Sequence, residues 1–532
     1  MPVMNLGHLV TQAATRYPER TAVIFGDVCL SWRTVNQRID ALVAAMRNLG
    51  VQKGDRILVH ARNSHRMFET KWACFKAGAV WVPVNFRLAE PEVAYIATHS
   101  GARLMFHDAE FDAHGAAAAS ANTGLKKRFC YDRVGHATDA YDALIEWHRN
   151  AVPFEEVVEH DDPAWYFYTS GTTGRPKAAV LTHGQLAFVT VSQLADMFPG
   201  TTVADTSLVV APLSHGAGVH ALAHVAKASM QVLYPDPEIR PERVWELVQT
   251  HKVTNFFAVP TLVKKLVEHP SVDQYDHSTL RRLNYGGAPM YRADQKLALE
   301  KLGSVLVQHF GLGEFTANIT ALTPEQHSIN DDDHAAPVGS CGFPRTGIEV
   351  AIVAEHGERV PAGEEGEICA RGPAAFAGYF GDEDASKQVF RDGWFHTGDV
   401  GHMDERGFVY LTGRQSDMYI SGGLNVYPRE AEEMLLAHPR VSEVAVVGVR
   451  DSKWGESGVA VVVCNDSRAI SIQEFSELLT GQLAKYKWPK RYEFWPELPK
   501  SAYGKVLKKD IQSRLENAAS SDMSSRSDRA TS

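Results

Sequence analysis

Short apolar runs alternate with helix-patterned stretches along most of this chain, and that alternation restricts it to a mixed α/β architecture with substantial parallel sheet. "RILVHA" (Arg56–Ala61), "VWVPVN" (Val80–Asn85) and "SLVVAPL" (Ser207–Leu213) read as buried strands. "EVAYIATHSG" (Glu92–Gly101) and "PERVWELVQTHKV" (Pro241–Val253) carry helical spacing, and the apolar "NFFAVP" follows the second. At 532 residues, 44% hydrophobic and 22% charged, the chain has the composition of a soluble globular protein of several domains. Near residue 400 the texture changes. "GDVGHMDERGFVYLTGRQSDMYISGGLNVYP" (Gly398–Pro428) is dense in glycine and turn residues. "REAEEMLLAHP" then reads as a helix, "VSEVAVVGV" and "GVAVVVC" as strands, and "IQEFSELLTGQLAKY" as a helix. The expected division is therefore a large N-terminal region of several subdomains, residues 1–413, with mixed sheets flanked by helices. A small, mobile α+β domain, 414–515, and a disordered tail, 516–532, complete the chain.

Several function classes are disfavoured. No apolar run reaches the ~18 residues of a membrane span. The start "MPVMNLGHLVTQAATRYPER" lacks the pattern of a secretory signal, and "SDRATS" at the end is not a peroxisomal address. The six cysteines form no C-x-x-C pair and suit free thiols in a reducing cytoplasm. A net charge of −10 argues against nucleic acid as a partner but not against a phosphate-rich small ligand. The acidic "NDDDH" (Asn330–His334) reads as a surface loop, and neither H-E-x-x-H nor G-x-S-x-G occurs.

The stretch that carries chemistry is "YTSGTTGRPKAAVLTHG" (Tyr168–Gly184). It is not a P-loop: Arg175 and Pro176 separate Gly174 from Lys177, and Ala178 stands where a magnesium-binding hydroxyl would be. Its glycines still let backbone N–H groups approach an anion, and its hydroxyls add donors. Four segments follow in order: "LNYGGAPM" (Leu283–Met290), "VQHFGLGEFT" (Val307–Thr316), "DGWFHTGDVGHMDERGFVYLTGRQSDMYISGGLNVYP" (Asp392–Pro428) and "LPKSAYGKVLKKD" (Leu498–Asp510). This ordered set resembles the adenylate-forming superfamily of acyl-CoA synthetases, carrier-protein adenylation domains and luciferases, from about residue 5 to residue 515.

The resemblance implies activation of a carboxylic acid with ATP to acyl-AMP and pyrophosphate, then transfer to a thiol, usually that of coenzyme A. Thr169, Ser170, Gly171, Thr172, Thr173, Gly174 and Lys177 would wrap the leaving pyrophosphate. Gly286, Gly287, Ala288 and Pro289, with Gln308, His309, Phe310 and Gly311, match the adenine pocket. Glu314 matches the acid associated with Mg2+ and is a catalytic candidate; Asp399 and Arg414 match the ribose site. Lys505 would reach the α-phosphate and the attacking carboxylate from the small domain. Two departures stand out. Gly313 replaces the threonine that donates to the AMP phosphate, a contact that water or Thr316 would have to supply, and Ser416 occupies the hinge. Restoring the hydroxyl with Gly313→Thr is then expected to leave adenylation intact or faster.

"APLSHGAGVHALAH" (Ala211–His224) holds no acid to pair an ammonium, which disfavours an amino-acid substrate. His215 matches a residue near the substrate carboxylate, beside the open "GAGV" that ends in Val219. Phe256, Phe257, Gly286, Leu312 and Asn318 are candidates for an apolar slot. A medium or long fatty acid is the first expectation and an aromatic acid the second. For coenzyme A, Trp454 and Tyr486 are candidate stacking platforms, and Gly422 and Gly423 could line the pantetheine tunnel. Loading of a carrier protein and non-catalytic binding of acyl or nucleotide ligands are the alternatives. A homodimer is the candidate assembly.

Overall fold

The computed structural model describes residues 1–133, 138–169, 175–288, 290–451, 453–466, 470–500 and 506–518. Packing divides the chain into two units. The larger takes in Met1–Gly287, Leu297–Val350 and Ala370–Phe395; the smaller takes in Ala288–Lys296, Ala351–Cys369 and the chain from His396 onward.

Two large sheets organise the larger unit. The first has six strands in the order Lys177–Thr182, Pro163–Thr169, Val80–Val84, Arg56–His60, Leu104–His107 and Lys127–Cys130. All neighbours are parallel except Lys177–Thr182, which runs antiparallel to Pro163–Thr169. A parallel sheet must be covered on both faces, which is why Val80–Val84 is apolar and buried at every position. Side chains alternate between two cores. Ile57 and Val59 enter one cluster while Leu58 enters the other, the period of two expected of a strand.

The second sheet has nine strands: Phe343–Pro344, Thr320–Leu322, Leu306–Phe310, Arg282–Tyr285, Asn255–Ala258, Thr206–Val209, Met230–Leu233, Thr21–Phe25 and Val28–Ser31. Its centre is parallel and its outermost strands are antiparallel. One apolar cluster joins residues of both sheets (Trp81, Trp165, Val209, Leu233) to the helices Trp32–Asn48, His65–Lys76, His183–Asp196 and Gly216–Ala226. Local chemistry sets where those helices begin. Ser31 and Ser64 accept from Thr34 and Met67 N–H, and Thr182 with Gln185 forms a capping box.

Lys71 lies inside that core. Its Nζ donates to Gly218 O and sits 5.3–5.8 Å from the rings of Trp72, Phe75, Trp81 and Trp165. Burial lowers its pKa to about 7.

In the smaller unit, Leu424–Val426, Tyr419–Ser421, Gly455–Cys464 and Val441–Asp451 form an antiparallel sheet, with Arg491–Phe494 added parallel to Gly455–Cys464. Helices Pro428–Leu436 and Ile472–Leu479 cover one face through Val444 and Val446. The helical residues 508–518 cover the other through Ala445 and Val447. The sequence pattern carries the helix from Ile472 to Tyr486, but it ends at Leu479. Gly481, at φ +77°, breaks it, and only a short 3-10 turn, Lys485–Lys487, follows.

Candidate active site

In the larger unit the candidate residues gather at strand ends. Thr206–Val209, Asn255–Ala258, Arg282–Tyr285 and Leu306–Phe310 are neighbouring parallel strands, so their carboxyl ends share one edge. His215, Gly286 and Leu312 lie just beyond three of these ends, where open α/β sheets place their ligands.

Strand Pro163–Thr169 delivers Thr169, and the strand register pairs Thr169 with Lys177. Ser170, Gly171, Thr172, Thr173 and Gly174 lie outside the described residues, as do Pro289 and Lys505. Lys500 and Val506 pair on either side of the latter segment. Thr169 Oγ1 donates to Glu314 Oε1 at 3.2 Å, and Tyr379 OH donates to the same oxygen at 2.8 Å. Glu314 is buried in the 3-10 turn Gly313–Phe315. Burial, reinforced by the Glu314 carboxylate, raises the pKa of the Tyr379 phenol, which therefore keeps its proton. Lys177 Nζ lies 3.2 Å from Asp382 Oδ2 and 5.4 Å from the Tyr379 ring centre. The Ala385 N–H and then Lys177 hold Asp382 below its ordinary pKa.

Backbone leaves no room for a side chain at Gly311, and neighbouring side chains crowd one at Gly313. A Cβ on Gly311 would come 2.6 Å from Ala317 Cα, and one on Gly313 would come 2.8 Å from the Phe167 ring and 2.9 Å from the Thr169 methyl. Gly287 needs glycine for its φ of +81° and faces open space. Gly286 packs on His309, and Gln308 accepts from Tyr285 OH at 2.9 Å. Phe310 and Leu312 are half-buried against the main core. Ala288 belongs to the smaller unit. The Thr316 hydroxyl is buried and donates to Phe315 O at 2.7 Å, so it is committed to the backbone.

His215 precedes helix Gly216–Ala226. Its Nδ1 is 2.9 Å from Ser214 Oγ, and its ring lies edge-on to Phe167 at 5.1 Å. Burial lowers its pKa to about 3, so the imidazole is neutral. Phe257 packs on Gly216 and lies 4.9 Å from the His220 ring and 5.5 Å from the His309 ring. Phe256, one residue away on the strand, turns instead to Trp245 at 6.4 Å. Val219 and Asn318 are buried; Asn318 Nδ2 donates to Ser192 Oγ at 3.3 Å.

In the smaller unit Asp399 and Arg414 are cross-strand partners, with Arg414 Nε donating to Asp399 Oδ1 at 2.5 Å. The Asp399 N–H donates to Thr397 Oγ1, while Gly398 takes a φ of +71° and gives its N–H to Glu367. Ser416 is exposed in the turn Gln415–Asp417 and donates to Asp417. Gly422 and Gly423 turn the Tyr419–Val426 hairpin at positive φ, and Gly422 lies against the Trp454 ring. Ile420, Gly423, Arg450, Trp454 and Glu456 line a surface cavity of about 790 Å³. Tyr486 is exposed and is not among its lining residues.

The chain matches the AMP-binding enzyme model over residues 10–380 and the AMP-binding enzyme C-terminal domain model over residues 430–505. It belongs to the AMP-binding enzyme family. Among its relatives, a feruloyl-CoA synthase of Amycolatopsis is 37% identical over 514 residues, covering 96% of this chain and 99% of the relative. The long-chain-fatty-acid–CoA ligase FadD13 of Mycobacterium tuberculosis is 33% identical over 512 residues, covering 95% and 97%. The fold matches that of o-succinylbenzoate CoA synthetase (MenE) from Bacillus subtilis, solved with its acyl-adenylate intermediate. That match has a TM-score of 0.83, 29% identity and coverage of 96% and 98%.

The residues of this AMP-binding enzyme fit a nucleotide and a hard cation. Gly287 is exposed and puts no side chain in the way of a ligand, and the donors on Glu314 converge on Oε1. No described residue donates to Oε2, and a carboxylate oxygen of that kind would suit a hard cation. Tyr379 is the residue that motif reading missed. It follows a glycine in an ordinary loop, with no spacing to mark it. Among the described residues, no helix is long and apolar enough to cross a membrane.

Proposed function

We propose that this chain is an ATP-dependent acid–CoA ligase. A substrate carboxylate oxygen bonds to the α-phosphorus of ATP and pyrophosphate leaves. The coenzyme A thiol then loses its proton and attacks the acyl carbon, and AMP departs. The observation that carries this reading is the Thr169–Glu314–Tyr379 cluster, in which one Glu314 oxygen has no donor among the described residues. Bound Mg2+ would neutralise charge on the phosphates, and Glu314 would hold it there.

The remaining roles follow the resemblance. Residues 169–177 take the pyrophosphate, Gly286–Pro289 with Gln308–Gly311 the adenine, and Asp399 with Arg414 the ribose. Residues 414–515 form the domain whose Lys505 serves adenylation, with Ser416 as its pivot. Trp454 and Gly423, at the rim of the 790 Å³ cavity, are the candidates for coenzyme A. The six free cysteines suit a reducing cytoplasm.

For the acid, the rings of Phe257, His220, His309 and Phe167 favour a flat aryl group over a fatty chain. The experiment is pyrophosphate release over a panel of aryl, fatty and amino acids, with and without coenzyme A. Aryl acids should release pyrophosphate, with thioester formed only when the thiol is present. Silence with every acid sinks the ligase reading, and faster release with fatty acids restores the fatty assignment. Lys505→Ala should remove adenylation and spare transfer from supplied acyl-AMP; equal loss of both steps contradicts its role.

A further inference from the structure

The histidines around Phe257 lead to a cation. Arg345 follows the edge strand Phe343–Pro344, and its side chain is wholly buried. Its backbone N–H donates to Ile319 O at 3.0 Å, which seats it opposite Ile319, the residue after Asn318. Nε faces Asp196 Oδ2 at 3.5 Å, a long contact, and Asp196 is otherwise held by the Thr346 N–H at 2.9 Å and hydroxyl at 2.7 Å. Among the described residues, neither Nη1 nor Nη2 has a hydrogen-bond partner.

A guanidinium in that position is expensive, because each unpaired buried donor forfeits its hydration. Burial lowers the Arg345 pKa only to about 10, so the charge persists at neutral pH. His220 and His309 lie within reach of that charge. Their Nδ1 atoms, and Asn318 Oδ1, are also buried without a partner among the described residues. Native interiors hold few such atoms, and several of them around one buried cation mark a place where something else supplies the partners. The group is continuous with the slot that begins at His215. Phe257 touches both Gly216 and His220, His220 lies 5.2 Å from the His309 ring, and His309 packs on Gly286.

We propose that the substrate's acyl group carries an oxygen acceptor at the end remote from its reacting carboxylate, and that Arg345 binds that oxygen through Nη1 and Nη2 and so sets specificity. This rests on the acid–CoA ligase reading. A hydrocarbon end at this place would leave the donors unpaired, and sites built to hydrogen-bond a substrate reject analogues that lack the group. A carboxylate and a phenolic oxygen share the required chemistry.

The test measures pyrophosphate release with cinnamic acid and its 4-hydroxy and 4-carboxy derivatives, and with octanoic and octanedioic acids. The wild type should favour a distal-oxygen acid over its unsubstituted parent at least tenfold in kcat/KM. The carboxy and hydroxy arms then tell a charged from a neutral oxygen. Arg345→Met should bring that ratio toward one, and Arg345→Lys should keep part of it. A wild-type ratio near one overturns the proposal, as does an Arg345→Met enzyme slowed equally with every acid, because both mean that Arg345 serves only the fold or an internal water. If neither variant folds, the wild-type ratio decides. Release from no acid defeats the ligase reading and this inference with it, whereas release without preference defeats this inference alone.

Discussion

A Cβ on Gly313 has the Phe167 ring at 2.8 Å and the Thr169 methyl at 2.9 Å. Gly313→Thr would therefore crowd the residue that donates to Glu314, and the overpacking costs about 1–3 kcal/mol. We expect pyrophosphate release at least tenfold slower, partly recovered by adding Phe167→Leu. This reverses the expectation from the motif alone, and an unimpaired Gly313→Thr enzyme would reinstate it. Tyr379→Phe removes a hydrogen bond to a charged group, worth about 1.5–3 kcal/mol. It should slow adenylation at least tenfold and shift the Mg2+ dependence to higher concentration; an unchanged Mg2+ titration would detach Tyr379 from the cation site. Thr169 and Glu314 were legible in the sequence because glycines and hydroxyls around them form a recognisable string. Tyr379 and Arg345 were not. They meet their partners only through the fold, Tyr379 across 65 residues and Arg345 across 149.

Helix Gly216–Ala226 carries the substrate-side residues, and its seat is narrow. A Cβ on Gly218 would collide with Leu213 O and come 3.0 Å from the Trp165 ring, while Gly218 O takes the Lys71 ammonium. Gly218→Ala must move the helix, and with it His215 and Val219. We expect a lower melting temperature and a kcat/KM reduced at least tenfold for the preferred acid. Unchanged values for both would mean that the helix slides without consequence. At this scale the sequence was informative: the strands Arg56–His60 and Val80–Val84 and the helix Pro241–Thr250 lie within the runs that suggested them, and Thr206–Val209 starts one residue before its run. What periodicity could not show was the facing of neighbours, so Phe256 and Phe257 both looked available to the slot although a strand must send them to opposite sides.

Across the molecule, burial lowers the pKa of His60, His215, His224 and His309 to about 3 and of His65 and His183 to about 4. These groups are neutral in both states above the ordinary histidine pKa, near 6.5. Below it the unfolded chain takes up protons that the folded chain refuses, so stability falls as pH drops from about 6.5 toward 3. Asp40, Glu69, Asp108 and Glu433, raised by burial, work in the opposite sense but are outnumbered. The melting temperature should fall steadily from pH 7 to pH 4.5, with net proton uptake on unfolding; a flat profile would show that these histidines are hydrated.

The same nine-stranded sheet has a consequence for synthesis. Its Thr21–Phe25 strand, folded back on Val28–Ser31, finds its parallel partner only at Met230–Leu233. About 200 residues must leave the ribosome in between, roughly 10–40 s of translation at ordinary rates. Throughout that interval the nascent hairpin offers a bare apolar edge, the kind of surface that holdase chaperones cover and that other nascent chains can join. Trimming the chain to a start beyond Ser31 would transfer that hazard to the finished protein, because Met230–Leu233 would then become the exposed margin of the sheet.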